Sequence, residues 1–457
     1  MIAIDLLNIS EVTNGKLLGE NLVINNIFTD TRAKDNSGLF IAIRGASFDA
    51  HNFISDAEAC GASALLVEKE CSSLLPQVVV KDTRQAMADI AKLVRKLSVA
   101  KFIGLTGSVG KTTVKEMIAH VLSQCGNTLA TAGNFNNDIG VPLTLFRLTN
   151  EDKFAVIEMG ANKPGDIRYT SNIVSPNVAL ITNVAAAHLE GFGDLQGVAT
   201  AKGEIYQSLS KQDTAIVNID DSFAQYWLNN ITCNIVKFGL QPTADVTAIN
   251  IHRNSNGGYS FELCIYDHSI EVNLKVPGKH NILNALACAS ACNAIGIETK
   301  KIASGLESFD GVSGRLQIHQ IDNLLTIIDD TYNANYTSLA AGIDVLAEQN
   351  GQKILALGDM GELGQHSREY HYKAGQYAEQ AGVDLLVTIG INSRIAQSAF
   401  ANGGEHFETH QAMIEYLKQK SKNIKTTILM KGSRSAHMEK VVNAFLESPS
   451  SLSEGEG

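Results

Sequence analysis

Apolar and polar positions follow three different textures along this chain. In residues 1–100, short apolar runs alternate with polar turns. "LFIAIRG" (39–45) and "SALLVE" (63–68) read as strands, and "QAMADIAKLVRKL" reads as a helix with Ile90, Leu93, Val94 and Leu97 on one face. From residue 101, "KFIGLT" predicts a buried strand. Val114, Met117, Ile118, Val121 and Leu122 then keep the i, i+3, i+4, i+7, i+8 spacing of an amphipathic helix. "FAVIEMG", "NVALITNV" and "TAIVNID" add strands. Residues 244–276 instead alternate in and out, with a turn at Asn256-Gly257-Gly258, and predict an antiparallel appendage on a mostly parallel sheet. A helix follows from near Asn281 to before Gly296. From residue 314, "LLTIID", "KILALGD", "DLLVTIG" and "TTILMKG" alternate with helical stretches, the rhythm of a doubly wound sheet.

The expected fold is therefore α/β in three domains. Residues 1–100 form a small α/β N-terminal domain, 101–313 a central phosphate-loop domain, and 314–447 a C-terminal Rossmann-like doubly wound domain. The small polar residues 448–457 predict a disordered tail. At 457 residues, 44% hydrophobic and 19% charged, the chain has ample material for packed cores. A formal charge of -11 argues against a general nucleic-acid binder, which displays a basic face. Seven scattered cysteines without a C-x-x-C pair fit a reducing cytoplasm. No run approaches the roughly 18 apolar residues of a membrane span, so a cytoplasmic enzyme is expected.

The candidate chemistry starts at "GLTGSVGKTT". A strand, a glycine-bearing loop and a helix stand in order, so backbone N–H groups and the helix dipole can cradle phosphates. Gly107, Ser108, Val109, Gly110, Lys111, Thr112 and Thr113 are the expected nucleotide-binding residues. Lys111 would meet the β- and γ-phosphates and Thr112 would offer its hydroxyl to Mg²⁺. The loop is shorter than G-x-x-x-x-G-K-[ST], because Leu105 stands where the first glycine belongs. Glu158, leaving an apolar strand, is either a second metal ligand or a strand-end carboxylate facing solvent. Read alone, His188 is a packed or capping residue and Lys202 a solvated charge.

"TGSVGKTT", "GNFNNDIGVPLTL", "IEMGANKPGDI", "TNVAAAHLEGFGDLQGVATAKGEIY", "DDTYNAN", "GDMGELG" and "KGSRSAHME" occur in this order. Together they resemble the Mur ligases, ATP-dependent amide-forming enzymes of peptidoglycan precursor synthesis, over all but about the last ten residues. The shortened loop is that family's own. Tyr336 departs from it, since "YNAN" is often followed by proline. The resemblance implies that Thr112 and Glu158 hold one Mg²⁺, and that Glu158, His188 and a carbamylated Lys202 hold a second, which reverses the bland reading of His188 and Lys202. Carbamylation would turn an amine into an oxygen ligand that a hard metal accepts. It implies too that Asn281 lies near adenine, Arg315 near the phosphates and Asp330 at the ribose. Without it, Asn281 reads as a helix N-cap.

Within the family the resemblance points to the branch acting on UDP-N-acetylmuramoyl-tripeptide and D-alanyl-D-alanine. It implies a uridine-diphosphate site at Thr29, Thr31, Arg32, Gly45, Asp49 and His51. Asn134, Asn137, Asn333 and Asn335 are implied to position the dipeptide or its intermediate. The third peptide residue (diaminopimelate or lysine) and the base for the amine stay open. The acceptor of the γ-phosphoryl group would be a carboxylate. Two unit charges 4 Å apart repel by about 4 kcal/mol at an effective dielectric near 20, about a thousandfold in rate, which cations must offset. A monomer is expected, hinged near Gly314, with nucleotide and UDP-sugar together compacting it. A sister ligase would carry a D-N-P-R segment, absent here. A folate polyglutamate-type ligase fits "DDTYNAN" poorly, and a switch ATPase lacks its arginine finger.

Overall fold

The computed structural model describes residues 1–32, 37–45, 48–186, 189–254 and 257–447. Asn256 of the expected turn, His188 and the expected tail at 448–457 lie outside the described residues. The architecture is α/β throughout. A two-stranded ribbon (Ile4–Asp5 with Val23–Ile24) precedes a five-stranded sheet ordered Lys16–Leu18, Gln77–Val79, Ala62–Val67, Gly38–Ile41 and Ile27–Phe28. Only its Lys16–Leu18 edge is antiparallel. The strand expected over 39–45 stops at Ile41, and the chain bends so that Arg44 bridges Asp49, Nε to Oδ2 at 3.0 Å.

The helix Thr83–Leu97 starts where the Asp82 carboxylate accepts the N–H groups of Arg84 and Gln85. Its apolar face does not close a core of its own. Ile90 and Val94 belong to one continuous cluster with Leu145, Ile157, Ile173 and Trp227, all beyond residue 100.

The central sheet has nine strands. From one edge they are His268–Asn273, Tyr259–Ile265, Val246–Arg253, Asn234–Phe238, Thr214–Asn218, Val178–Ile181, Lys101–Thr106, Phe154–Glu158 and Thr128–Ala130. The last seven of these run parallel, while the first two are joined on by antiparallel pairings, as the alternating pattern predicts. The central strands Lys101–Thr106, Phe154–Glu158 and Val178–Ile181 are buried on both faces, which explains their unbroken apolar runs. The helices Lys111–Ser123 and His280–Ala294 pack together over one face.

The C-terminal sheet is ordered Gln317–Gln320, Leu325–Asp330, Thr426–Lys431, Gln352–Gly358, Leu385–Ile389 and Gly404–Phe407, with one antiparallel pairing, at its Gln317–Gln320 edge. Separate apolar clusters cover its two faces. The last strand inserts between the first and second of the parallel set. This reversal opens a crevice at the strands' carboxyl ends, facing the central phosphate loop.

Candidate active site

The loop 107–110 is forced by its neighbours. A Cβ on Gly107 would collide with Thr182 Oγ1, which donates to the Val109 carbonyl, so a larger residue fits only by displacing that hydroxyl and its bond to the loop. The N–H groups of Ser108 and Val109 donate to the Asn183 carbonyl oxygen and side-chain Oδ1 at 2.9 and 3.0 Å. Gly110, at φ 82°, caps the following helix. The first N–H groups of that helix have no intrahelical acceptor and point at the cleft. Lys111 Nζ donates to the Gly107 carbonyl at 2.9 Å. Burial lowers its pKa, Glu158 opposes that shift, and Arg315 adds to it.

Glu158 does not face solvent: it is 2% exposed. Its Oε2 accepts the Thr112 hydroxyl at 3.1 Å and its Oε1 accepts Asn136 Nδ2 at 2.9 Å. A hydroxyl and a buried carboxylate side by side form the hard oxygen set that suits Mg²⁺. Lys202 is likewise no solvated charge. It is 3% exposed and its Nζ donates to the same Gly107 carbonyl at 2.9 Å. Burial, then the neighbouring Lys111 cation, hold its pKa well below the usual lysine range. Both causes favour the neutral amine, the form that adds CO₂. Glu204 fixes the backbone around it by accepting the N–H groups of Gly165 and Arg168, tying the Lys202 helix to the helix Asp166–Val174.

Arg315 arrives from the C-terminal side. Its Nη2 lies 3.4 Å from Thr112 Oγ1 and its guanidinium stacks 4.3 Å from the Tyr332 ring centroid. Among the described residues, its Nε is buried with no hydrogen-bond acceptor. A half-buried cation with an unmet buried donor, beside a phosphate loop, fits an anionic ligand.

Two cavities meet here. A polar cleft of about 1200 Å³ is lined by Lys111, Thr112, Asn134, Asn137, Glu158, Lys202, Arg315, Asn333 and Asn335. A smaller one of about 170 Å³ is lined by Gly110, Thr113, Asn281, Asn284, Arg315 and Asp330. Asn281 is not the N-cap its sequence suggests. Lys279 holds that position, while Asn281 Nδ2 donates to the Pro277 carbonyl at 2.6 Å and its Oδ1 accepts Asn284 Nδ2. Asp330 pairs with Lys431 at 2.5 Å inside the wall. Burial raises the Asp330 pKa, which Lys431 opposes.

The N-terminal candidates lie elsewhere. Thr29, Thr31, Arg32, Gly45, Asp49 and His51 are not among the residues lining either cavity. Arg32 pairs with Asp30 at the surface. His51 is a bracket: Nδ1 donates to Asp49 at 2.6 Å and Nε2 accepts the Glu68 N–H at 3.0 Å. Sequence reasoning missed Asn136, Asn183, Tyr332 and Lys431. Asn136 sits between two chosen asparagines, and Lys431 stands in a quoted motif. Its partnership with Asp330 is a register fact, since both end adjacent parallel strands.

Comparison with known proteins gives a consistent result. The Mur ligase middle domain matches residues 105–292, and the Mur ligase glutamate ligase domain matches residues 314–434. UDP-N-acetylmuramoyl-tripeptide–D-alanyl-D-alanine ligase of Escherichia coli (strain K12) is 46% identical, across 98% of this chain and 99% of its own. A crystal structure of MurF from Acinetobacter baumannii superposes with a TM-score of 0.92 at 36% identity, covering 98% of this chain and 99% of that one. MurF ligase from Thermotoga maritima in complex with ADP gives 0.82 at 26% identity, covering 92% and 96%.

Proposed function

The chain belongs to the Mur ligase family, and from this premise we propose that it joins D-alanyl-D-alanine to the terminal carboxylate of UDP-N-acetylmuramoyl-tripeptide, converting ATP to ADP and phosphate. The carrying observation is the convergence of Lys111, Thr112, Glu158, Lys202 and, from the other side of the cleft, Arg315 on one polar space. Asn134, Asn137, Asn333 and Asn335 line that space, where a dipeptide and an anionic intermediate have to be held.

The sequence of events follows from charge. Lys111 and Arg315 draw the γ-phosphoryl group toward the peptide carboxylate, whose oxygen forms the new P–O bond as ADP leaves. The neutral amine of the dipeptide attacks the resulting acyl phosphate. A C–N bond forms, a proton is released, and phosphate departs carrying one carboxylate oxygen. Thr112, Glu158, His188 and a carbamylated Lys202 are the residues that would hold two Mg²⁺ ions, which would supply charge neutralisation for the carboxylate and the phosphates. Asn281 and Asp330 face the adenosine. Thr29, Thr31, Arg32, Gly45, Asp49 and His51 serve the uridine diphosphate end. We divide the chain at 100/101 and 313/314, and propose that it acts as a cytoplasmic monomer whose C-terminal region closes about Gly314. Among the described residues no helix is long and apolar enough to cross a membrane.

The test is phosphate release with each substrate omitted in turn. Full release requires ATP, the UDP-tripeptide and the dipeptide, and release that ignores the dipeptide refutes the assignment. With the peptide carboxylate labelled in oxygen, label has to appear in phosphate. Lys202→Ala is expected to lower turnover at least about a hundredfold, with partial recovery in added short carboxylates. Full activity without them refutes the carbamate.

A further inference from the structure

The antiparallel appendage takes no part in the chemistry above, yet it reaches across to the C-terminal region. Arg253 and Tyr259 are directly opposite partners on its two inner strands, so their side chains leave the sheet on the same face. Both meet Glu348, the residue ending the helix Tyr336–Ala347. Arg253 Nη1 donates to the Glu348 carbonyl at 2.8 Å, with Nε 3.8 Å from Oε2, and the Tyr259 hydroxyl donates to Oε1 at 2.7 Å. Tyr259 is buried. A cation on the last carbonyls of a helix complements its dipole, so the helix end is held by side chain, backbone and field together.

The opposite end of the same helix is functional. Asn335 caps it in a reciprocal box with Ser338 and lines the large cleft, while Thr337, Ser338 and Ala341 line the smaller cavity. Twelve residues at 1.5 Å each make a lever of about 18 Å. We propose that Arg253, Tyr259 and Glu348 form a latch by which the appendage positions this helix, and with it the C-terminal region, for nucleotide binding. These are positioning residues, and the inference rests on reading the smaller cavity as the nucleotide's.

The test uses the full chain with ADP as probe. In Arg253→Met, the ADP dissociation constant and the KM for ATP are expected to rise about three- to tenfold, with kcat within twofold and the KM for UDP-tripeptide unchanged. Solution scattering of the ligand-free variant is expected to show a larger radius of gyration. Arg253→Lys restores part of the affinity, and Arg253→Met with Glu348→Gln is no worse than Arg253→Met alone. Unchanged ADP affinity and scattering overturn the latch. An equal rise in both KM values with a falling Tm also overturns it, because that pattern is general destabilisation. Neither ADP titration nor scattering involves the acceptor, so a wrong acceptor leaves this test intact. Wild-type protein that fails to bind ADP sinks the functional reading while scattering still decides the latch.

Discussion

The chain has two joints of opposite character. Near residue 100 an apolar cluster runs straight through, from Ile9 and Ile90 to Ile173 and Trp227. Polar contacts reinforce it: the Ile2 N–H meets the Leu148 carbonyl, Arg95 Nε donates to the Val174 carbonyl at 2.8 Å, and the Arg95 guanidinium lies 3.8 Å from the Phe102 ring centroid. Near residue 314, among the described residues, no apolar cluster crosses. The polar contacts there include Arg315 to Thr112 and the Glu348 pair with Arg253 and Tyr259, around a turn in which Gly314 has φ 69°. Separating apolar faces costs about 25 cal/mol per Å² exposed, whereas polar faces exchange partners with water. The first joint is therefore the costlier of the two to open, and the second is where the proposed closure would act. The cleft opens at the second.

The largest expected effect is on the far side of the second joint. Lys431→Met leaves the Asp330 charge buried and unpaired, a loss of about 3–5 kcal/mol. Denaturant melts should show it in the C-terminal transition alone, and an equal fall elsewhere would mean the second joint couples folding. Ile90→Ala, at a residue with no exposed surface, should remove about 2–5 kcal/mol. Fluorescence from Trp227, far along the chain in the same cluster, should report this loss. A Trp227 transition that ignores it breaks the claim of a shared core.

His280 sharpens the contrast through pH. Burial, then Lys431, bring its pKa down to about 4 from 6.5, with Asp344 opposing. Between these values the unfolded chain binds a proton that the folded chain refuses. Stability is thus complete above about pH 6.5 and lost as pH falls toward 4, by up to about 3 kcal/mol. His280→Asn should flatten that part of the pH profile, and an unaltered profile would count against it. Smallest is Gly314→Ala. A side chain at φ 69° costs about 1–2 kcal/mol, and its Cβ would come within 3.3 Å of Tyr332. Ligand-induced compaction measured by scattering should shrink, while the Trp227 transition stays where it was.

Much of this was legible in the chain. The 3.6-residue spacing after the phosphate loop gave the helix Lys111–Ser123, and strict alternation gave the antiparallel strands. Both signals are local, because each element's periodicity is imposed by the face it buries. Lys202 shows where reading stops. Nothing adjacent to it in "ATAKGEIY" says that its amine will lie against the Gly107 carbonyl, 95 positions earlier, in a space it shares with a second lysine.

The sequence alone determined which elements form, where the phosphate loop lies and which family's motifs are present, since all of these are written in contiguous residues. Only the tertiary structure decided that Glu158 and Lys202 are buried, that Arg315 reaches Thr112 across the joint, and that one joint is apolar and the other polar. Burial, charge pairing and the solvent's access to a carboxylate or an amine depend on which distant segments pack together, and no run of neighbouring residues carries that information.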